Sequence, residues 1–150
     1  MESIDDLVLL GWQARSLRTV EGVPRYLTYP PTVKRIIYNT QNLTQGGDTL
    51  FITEGPFDAI KIDYYGKPRI RATCTFGATL TPEQIGFLFK FGGIFSKVII
   101  MFDNDDAGLA AGFELRDWLP NAKFGQLDQS HKDTDKLTPD EMRRWLDGIR

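Results

Sequence analysis

Cysteine and histidine are almost absent from this chain: Cys74 and His131 stand alone among 150 residues. One thiol excludes an internal disulfide, and one thiol with one imidazole excludes a cysteine-rich or histidine-rich zinc site. Cys74, within "IRATCTF", is expected as a small core residue, and His131 as a solvated side chain of a polar loop. Long apolar runs are missing too. No stretch approaches the roughly 20 residues that cross a bilayer, and the opening "MESIDD" is acidic where a secretory leader is basic. A cytoplasmic protein with no membrane partner is therefore expected. Basic excess is also lacking: the formal net charge is -2, so total charge gives no sign of a nucleic-acid partner. Repeats and low-complexity tracts are absent. What remains is a chain with 41% hydrophobic residues, enough for one domain with a sizeable core.

The distribution of charge says more than its sum. Between Gly11 and Tyr38, Arg15, Arg18, Arg25, Lys34 and Arg35 face a single acid, Glu21, with Trp12, Tyr26 and Tyr29 interspersed. Basic residues among aromatics suit a nucleic-acid surface, and the solvated face of a twisted hairpin accounts for them equally well.

Two regions differ in pattern. Residues 1–45 hold strand-like pieces, "LVLLGWQARSL" and "KRIIYNT", broken by the adjacent prolines of "TYPPT". They predict a β-rich N-terminal segment packed on the core. From residue 46 to 150, strand-like and helix-like stretches alternate: "TLFITEG", "PFDAIKIDYYG", "RIRATCTF", "TPEQIGFLFKFGG", "KVIIMFD", "DAGLAAGFELRDWLP", "NAKFGQL" and "TPDEMRRWLDGI". Alternation of this kind predicts an α/β domain with a mostly parallel central sheet flanked by helices. Thr81-Pro82 and Thr138-Pro139 mark two helix starts, and Gly92-Gly93 marks an end. Phe87, Leu88, Phe91, Phe95, Trp118 and Trp145 are expected in the core.

One stretch carries chemistry. In "KVIIMFDNDDAG", Val98 to Phe102 form an apolar run suited to a buried strand, and Asp103, Asp105 and Asp106 follow at once. Glu54 likewise ends "TLFITEG". In an open parallel sheet, ligands bind beyond the carboxyl ends of the strands. If these two strands are neighbours, Glu54, Asp103 and Asp105 converge on one edge. Such crowding is unfavourable unless a cation or a basic partner neutralises it, and Mg2+ suits hard carboxylate donors. In an extended segment Asp103 and Asp105 share a side. Asp106 is expected to begin a helix and favour its dipole.

These motifs resemble the Toprim domain of the phage, plasmid and bacterial DNA primase family, with a glutamate after one strand and Asp-x-Asp after a later one. The resemblance covers "TEGPFDAI" with Glu54 and Asp58, "FDNDDAG" with Asp103 and Asp105, and "HKDTDKLTPDE" with Asp133 and Asp135. Upstream, "GWQARSL", "PRYLTYPPT" and "IIYNTQNL" are similar to the segment that precedes Toprim in phage and plasmid primases and contributes to the nucleic-acid groove. "TFGATLT" is similar to a Toprim "GT" loop in which Ala78 replaces the usual threonine.

The resemblance implies a Toprim-like fold and metal-dependent nucleotidyl transfer on a single-stranded DNA template, the chemistry of primer synthesis. It assigns metal ligation by Mg2+ or Mn2+ to Asp103 and Asp105, with Asp133 as an additional ligand. Glu54 becomes a further ligand or the acid/base group, while Asp58 and Asp135 complete the acidic patch. Lys132 becomes a phosphate contact, although a solvated lysine fits as well. Arg15, Arg18, Arg25, Lys34 and Arg35 become nucleic-acid contacts. The implied partners are template, nucleoside triphosphates and a replicative helicase or polymerase. Neither an N-terminal zinc module nor a longer basic catalytic half is present, so the chain reads as the catalytic part of a primase or as a compact one. Two alternatives stay open: a Toprim-type metal-dependent nuclease, and a non-catalytic nucleic-acid-binding module that recruits a replication partner.

Overall fold

The structure is a computed structural model that describes residues 9–125 and 134–149. Its centre is the strand β3 (Thr49–Thr53), all five residues of which are buried. β4 (Ile70–Cys74) lies on one side of it, and β5 (Lys97–Met101) followed by β6 (Ala122–Phe124) on the other. The order is β4-β3-β5-β6, with every pairing parallel.

A strand covered on both faces has no polar side, which is why β3 and β5 read as near-continuous apolar runs. Their alternation assigns the faces. Leu50, Ile52, Val98 and Ile100 join Leu43 of α1 (Thr40–Gln45), Leu88 of α3 (Pro82–Gly92) and Leu115 of α4 (Asp106–Trp118). Phe51, Ile99, Ile70, Ala72 and Cys74 point the other way. They meet Ala59 and Ile62 of α2 (Pro56–Gly66) and Met142 and Leu146 of α5 (Pro139–Ile149). Each fully buried Leu, Ile or Phe contributes about 1.5–3 kcal/mol, so both layers hold the sheet.

Local signals set the helix boundaries. Thr81 and Gln84 form a capping box at α3: the Gln84 N–H donates to Thr81 Oγ1 at 3.3 Å, and the Thr81 N–H donates to Gln84 Oε1 at 3.0 Å. Thr138 and Glu141 repeat the device at α5, with the Thr138 N–H donating to Glu141 Oε2 at 2.8 Å.

Connectivity positions the site. β3 leads through α2 to β4 on one side, and β4 then leads through α3 across to β5 on the other. Strand order therefore reverses between β3 and β5, and a crevice opens beyond their carboxyl ends at such a point.

The N-terminal part differs from the expected strands. β1 (Trp12–Arg15) and β2 (Tyr26–Tyr29) form an antiparallel hairpin, but "KRIIYNT" is not a strand. A 3-10 turn spans Pro31–Arg35, Asn39 adopts a left-handed conformation at φ 51°, and α1 begins at Thr40. The segment's link to the sheet is local: the Tyr38 N–H donates to the Cys74 carbonyl at 3.0 Å, and the Thr73 hydroxyl donates to the Tyr38 carbonyl. Its apolar residues serve as plugs: Val33 and Ile37 are buried.

Trp118 is also corrected, being 53% exposed. The inward stripe of α4 runs through Gly108, Ala111, Gly112 and Leu115 and continues to Leu119, one step past the tryptophan. Trp145 packs on Phe51 with ring centroids 5.4 Å apart. Leu88, Phe95 and Cys74 are buried, while Phe87 and Phe91 rim the first layer.

Candidate active site

Because Thr53 pairs in register with Met101, Glu54 and Asp103 leave adjacent strands at nearly the same height. The Asp103 backbone N–H donates to the Glu54 carboxylate. Glu54 is half-buried, and its Oε2 is buried with no hydrogen-bond partner among the described residues. An orphaned buried carboxylate oxygen is costly. Burial is the main cause that pushes the Glu54 carboxyl above its ordinary value; the charge of Asp103 comes next, Asp105 and Asp58 add to it, and the Asp103 N–H opposes. Four acids from three segments thus act on one another at the crevice.

Asp105 has a structural task. It is the N-cap of α4, in an extended conformation, and its Oδ1 accepts the Gly108 N–H at 2.8 Å. Its second oxygen retains acceptor capacity, as any carboxylate does. Asp106 occupies the first helical position, as expected. The glycine of "DNDDAG" is required by close approach: a Cβ on Gly108 would stand 2.2 Å from the Asp103 carbonyl oxygen. Only glycine lets the first turn of α4 close against that backbone.

Asp58 lies in the first turn of α2 and accepts a hydrogen bond from the hydroxyl of Thr134, which is 1% exposed. That bond ties Thr134, and the turn it opens, to the acidic edge. Asp135 falls in the 3-10 turn Thr134–Lys136. Its side chain, like Asp133, Lys132 and His131 as a whole, lies outside the described residues.

Beneath the acids sits a polar layer that single-residue reasoning missed. Thr53 Oγ1 donates to the carbonyls of Gly55 at 2.8 Å and Thr73 at 3.2 Å. Thr75 Oγ1 donates to Gly77 O at 2.8 Å, and the Gly77 N–H donates to Glu54 O at 3.1 Å. Buried Gln84 donates to Thr75 O at 2.7 Å and Ile36 O at 3.0 Å. These bonds lock the backbone of Glu54 and the loop after β4. Threonines recurring near the ends of "TLFITEG" and "RIRATCTF" were the available signal.

Among the described residues, no three acids, cysteines or histidines close into a metal cage. Glu54 and Asp103 are brought together, Asp105 is shared with a helix cap, and Asp58 stands behind. The donor set still fits a hard cation that keeps most of its waters and takes one or two carboxylates. Of the basic residues, Arg15 reaches this end of the molecule, its guanidinium 5.1 Å from the Phe57 ring centroid beside Asp58. Arg18, Arg25, Lys34 and Arg35 are exposed. Arg35 approaches Glu83, whose carboxyl is held low first by its own backbone N–H and the Thr81 hydroxyl.

A parallel sheet with acids at its switch point is a Toprim arrangement, and the chain belongs to the Toprim-like family, whose profile matches residues 51–138. Its relatives include primases. It is 34% identical over 110 residues to the DNA primase of Staphylococcus epidermidis, an alignment covering 69% of this chain and 17% of the primase. It is 33% identical over 110 residues to the Gene 57 protein of Mycobacterium phage D29, covering 73% of this chain and 68% of that protein. A solved structure of the DnaG primase catalytic domain bound to ssDNA matches 93% of this chain and 47% of its own, with a TM-score of 0.68 at 25% identity. The chain thus spans less than a fifth of the Staphylococcus primase.

Proposed function

We propose that this chain carries out metal-dependent nucleotidyl transfer on a single-stranded DNA template, as a compact primase or the catalytic part of one. The observation that carries this reading is the pairing of Glu54 and Asp103 on adjacent strand ends, with Glu54 Oε2 buried and without a hydrogen-bond partner among the described residues. Similarity to DNA primases and to a primase domain bound to ssDNA supports it.

Asp103, Asp105 and Glu54 are the residues that would hold Mg2+ or Mn2+, with Asp133 as a further candidate; such an ion supplies charge stabilisation for a transferring phosphoryl group. Glu54, with its raised carboxyl, is suited to take the proton of an attacking hydroxyl. Asp58, held by Thr134, adds negative charge behind the site. Lys132 is the nearest candidate in sequence for a phosphate contact.

Purified chain incubated with single-stranded template, ribonucleotides and Mg2+ or Mn2+ should yield short primers on a gel. Asp103→Asn should abolish them with an unchanged circular dichroism spectrum. Undiminished synthesis by that variant would remove the assignment. The alternative reading is a Toprim-type nuclease, and metal-dependent nicking without synthesis would select it.

A further inference from the structure

Between the hairpin and α2 lies a cleft of about 180 Å3 walled by Trp12, Arg15, Tyr26, Tyr38, Phe57 and Phe76. We propose that it receives a single unpaired nucleobase, stacked on these rings, and so seats one nucleotide beside the acidic edge. The inference deepens the reading above and rests on it for the nucleic-acid class of ligand.

Three observations lead here. Three of the five rings are not spent on the core, Trp12 and Phe57 being each 44% exposed and Tyr26 40%, while Tyr38 and Phe76 pack against the second layer and anchor the cleft to it. Five aromatics around one concavity are a stacking platform, since every base has a π-face and stacking tolerates any sequence. Their faces already accept a planar group: the Arg15 guanidinium lies 5.1 Å from the Phe57 centroid and 5.8 Å from that of Tyr26. A base can add to such a stack or displace the guanidinium, which then serves the adjoining phosphate.

The second observation is Phe76, held at φ 60°. That left-handed conformation is uncommon for a bulky residue and persists where the surroundings impose it. It is maintained by the bonds of the loop that follows β4, and it keeps an aromatic ring at the cleft, edge-on to Tyr38 at 6.2 Å.

The third is position. Phe57 directly precedes Asp58, and Phe76 directly precedes Gly77, whose N–H binds the Glu54 carbonyl at 3.1 Å. Two walls of the cleft therefore come from the segments that flank the acids. The hairpin that supplies Trp12 and Tyr26 also carries exposed Arg18 and Arg25, giving positive charge to the backbone of whatever presents the base.

The test compares two fluorescein-labelled strands of equal length and charge, oligo(dT) and a fully abasic oligonucleotide, by anisotropy with the whole chain in chelator. The parent should prefer oligo(dT) by about tenfold, within the range for one base stacked on an aromatic ring. Phe57→Ala should erase the preference and keep the salt slope, while Phe57→Tyr should keep both. Arg18→Gln with Arg25→Gln should do the reverse, lowering the slope and retaining the preference. Thymidine monophosphate at millimolar concentration, competing for the quenching of Trp12, identifies a nucleotide as the source of the base; quenching by oligo(dT) alone identifies the strand. Trp12→Phe confirms the reporter. Equal binding of both strands by the parent, or a preference that survives Phe57→Ala, overturns the proposal. Primer synthesis is scored separately: synthesis without a base preference sinks the cleft alone, and a base preference without synthesis sinks the catalytic reading alone.

Discussion

The Asp103 carbonyl oxygen and the α-carbon of Gly108 are so close that a β-carbon on the glycine would stand 2.2 Å from that oxygen. The acidic strand end and the helix it leads into are thus packed backbone against backbone. The same glycine's N–H fixes Asp105, so one residue sets the position of both aspartates. Gly108→Ala must push the Asp103 backbone aside, at a cost of about 1–3 kcal/mol. Gly86, inside α3 with nothing within 4 Å of its would-be Cβ, supplies the contrast: Gly86→Ala should stabilise by about 0.5–1 kcal/mol through helix propensity. Urea unfolding of the two variants should show opposite signs, and a loss of primer synthesis should accompany only the first.

Asp105 serves as a helix cap and as a candidate ligand, and two substitutions separate the roles. Asparagine caps as well as aspartate, so Asp105→Asn removes charge from a crowded acidic edge and keeps α4 capped. In chelator at low salt it should melt a few degrees above the parent if the relief is about 1 kcal/mol. Asp105→Ala relieves the same repulsion but loses the cap, so it should melt a few degrees below the asparagine variant, for a cap of about 1 kcal/mol, and near the parent. With several millimolar Mg2+ the parent should gain stability and overtake the asparagine variant, because an ion stabilises only the form able to hold it. Melting curves for the three proteins under both conditions decide this. Indifference of the parent to the cation would leave Asp105 as a cap alone.

Glu54 should give the metal-free protein a distinctive pH response. Its folded carboxyl is raised above the ordinary 4.5, chiefly by burial and then by Asp103. Between 4.5 and the raised value the folded state binds more protons than the unfolded chain, so stability falls as pH rises through that window. Above it the charged Glu54 penalises the fold in full; below it the penalty is gone. Glu54→Gln, which retains an acceptor for the Asp103 N–H, should therefore be more stable than the parent at pH 7 in chelator. The difference should vanish as pH approaches 4. Chemical denaturation of both proteins across that range measures it, and a pH-independent gap would remove the electrostatic explanation.

Much of the fold was legible because its signals are local. Period and apolar runs marked the alternating strands and helices, and Thr-Pro pairs marked helix starts that the structure confirms at Thr81 and Thr138. "KRIIYNT" misled because alternation within seven residues is not enough to make a strand. A strand needs a partner edge along its length, and this segment meets the sheet at Tyr38, through the Cys74 carbonyl and the Thr73 hydroxyl. Trp118 misled because its distance from Leu115 matches a helical stripe, and only the packed angle of α4 shows that Leu119 takes the inward place.

The chain by itself determined that acids would follow two apolar strands, because five apolar residues and then "DNDDAG" leave the charges nowhere but the carboxyl end. It also determined, through composition, that no disulfide and no cysteine- or histidine-rich zinc site would hold the fold. Tertiary structure decided which ends are neighbours. The order β4-β3-β5-β6 brings Glu54 to Asp103 across about 50 residues of chain, through pairings set by the burial of both sheet faces. It decided too that Asp105 caps a helix, that Gly108 admits no side chain, and that Trp12, Phe57 and Phe76 meet around one cleft. Contacts between residues distant in sequence depend on how packed elements close on one another, and no local pattern of residue types encodes that closure.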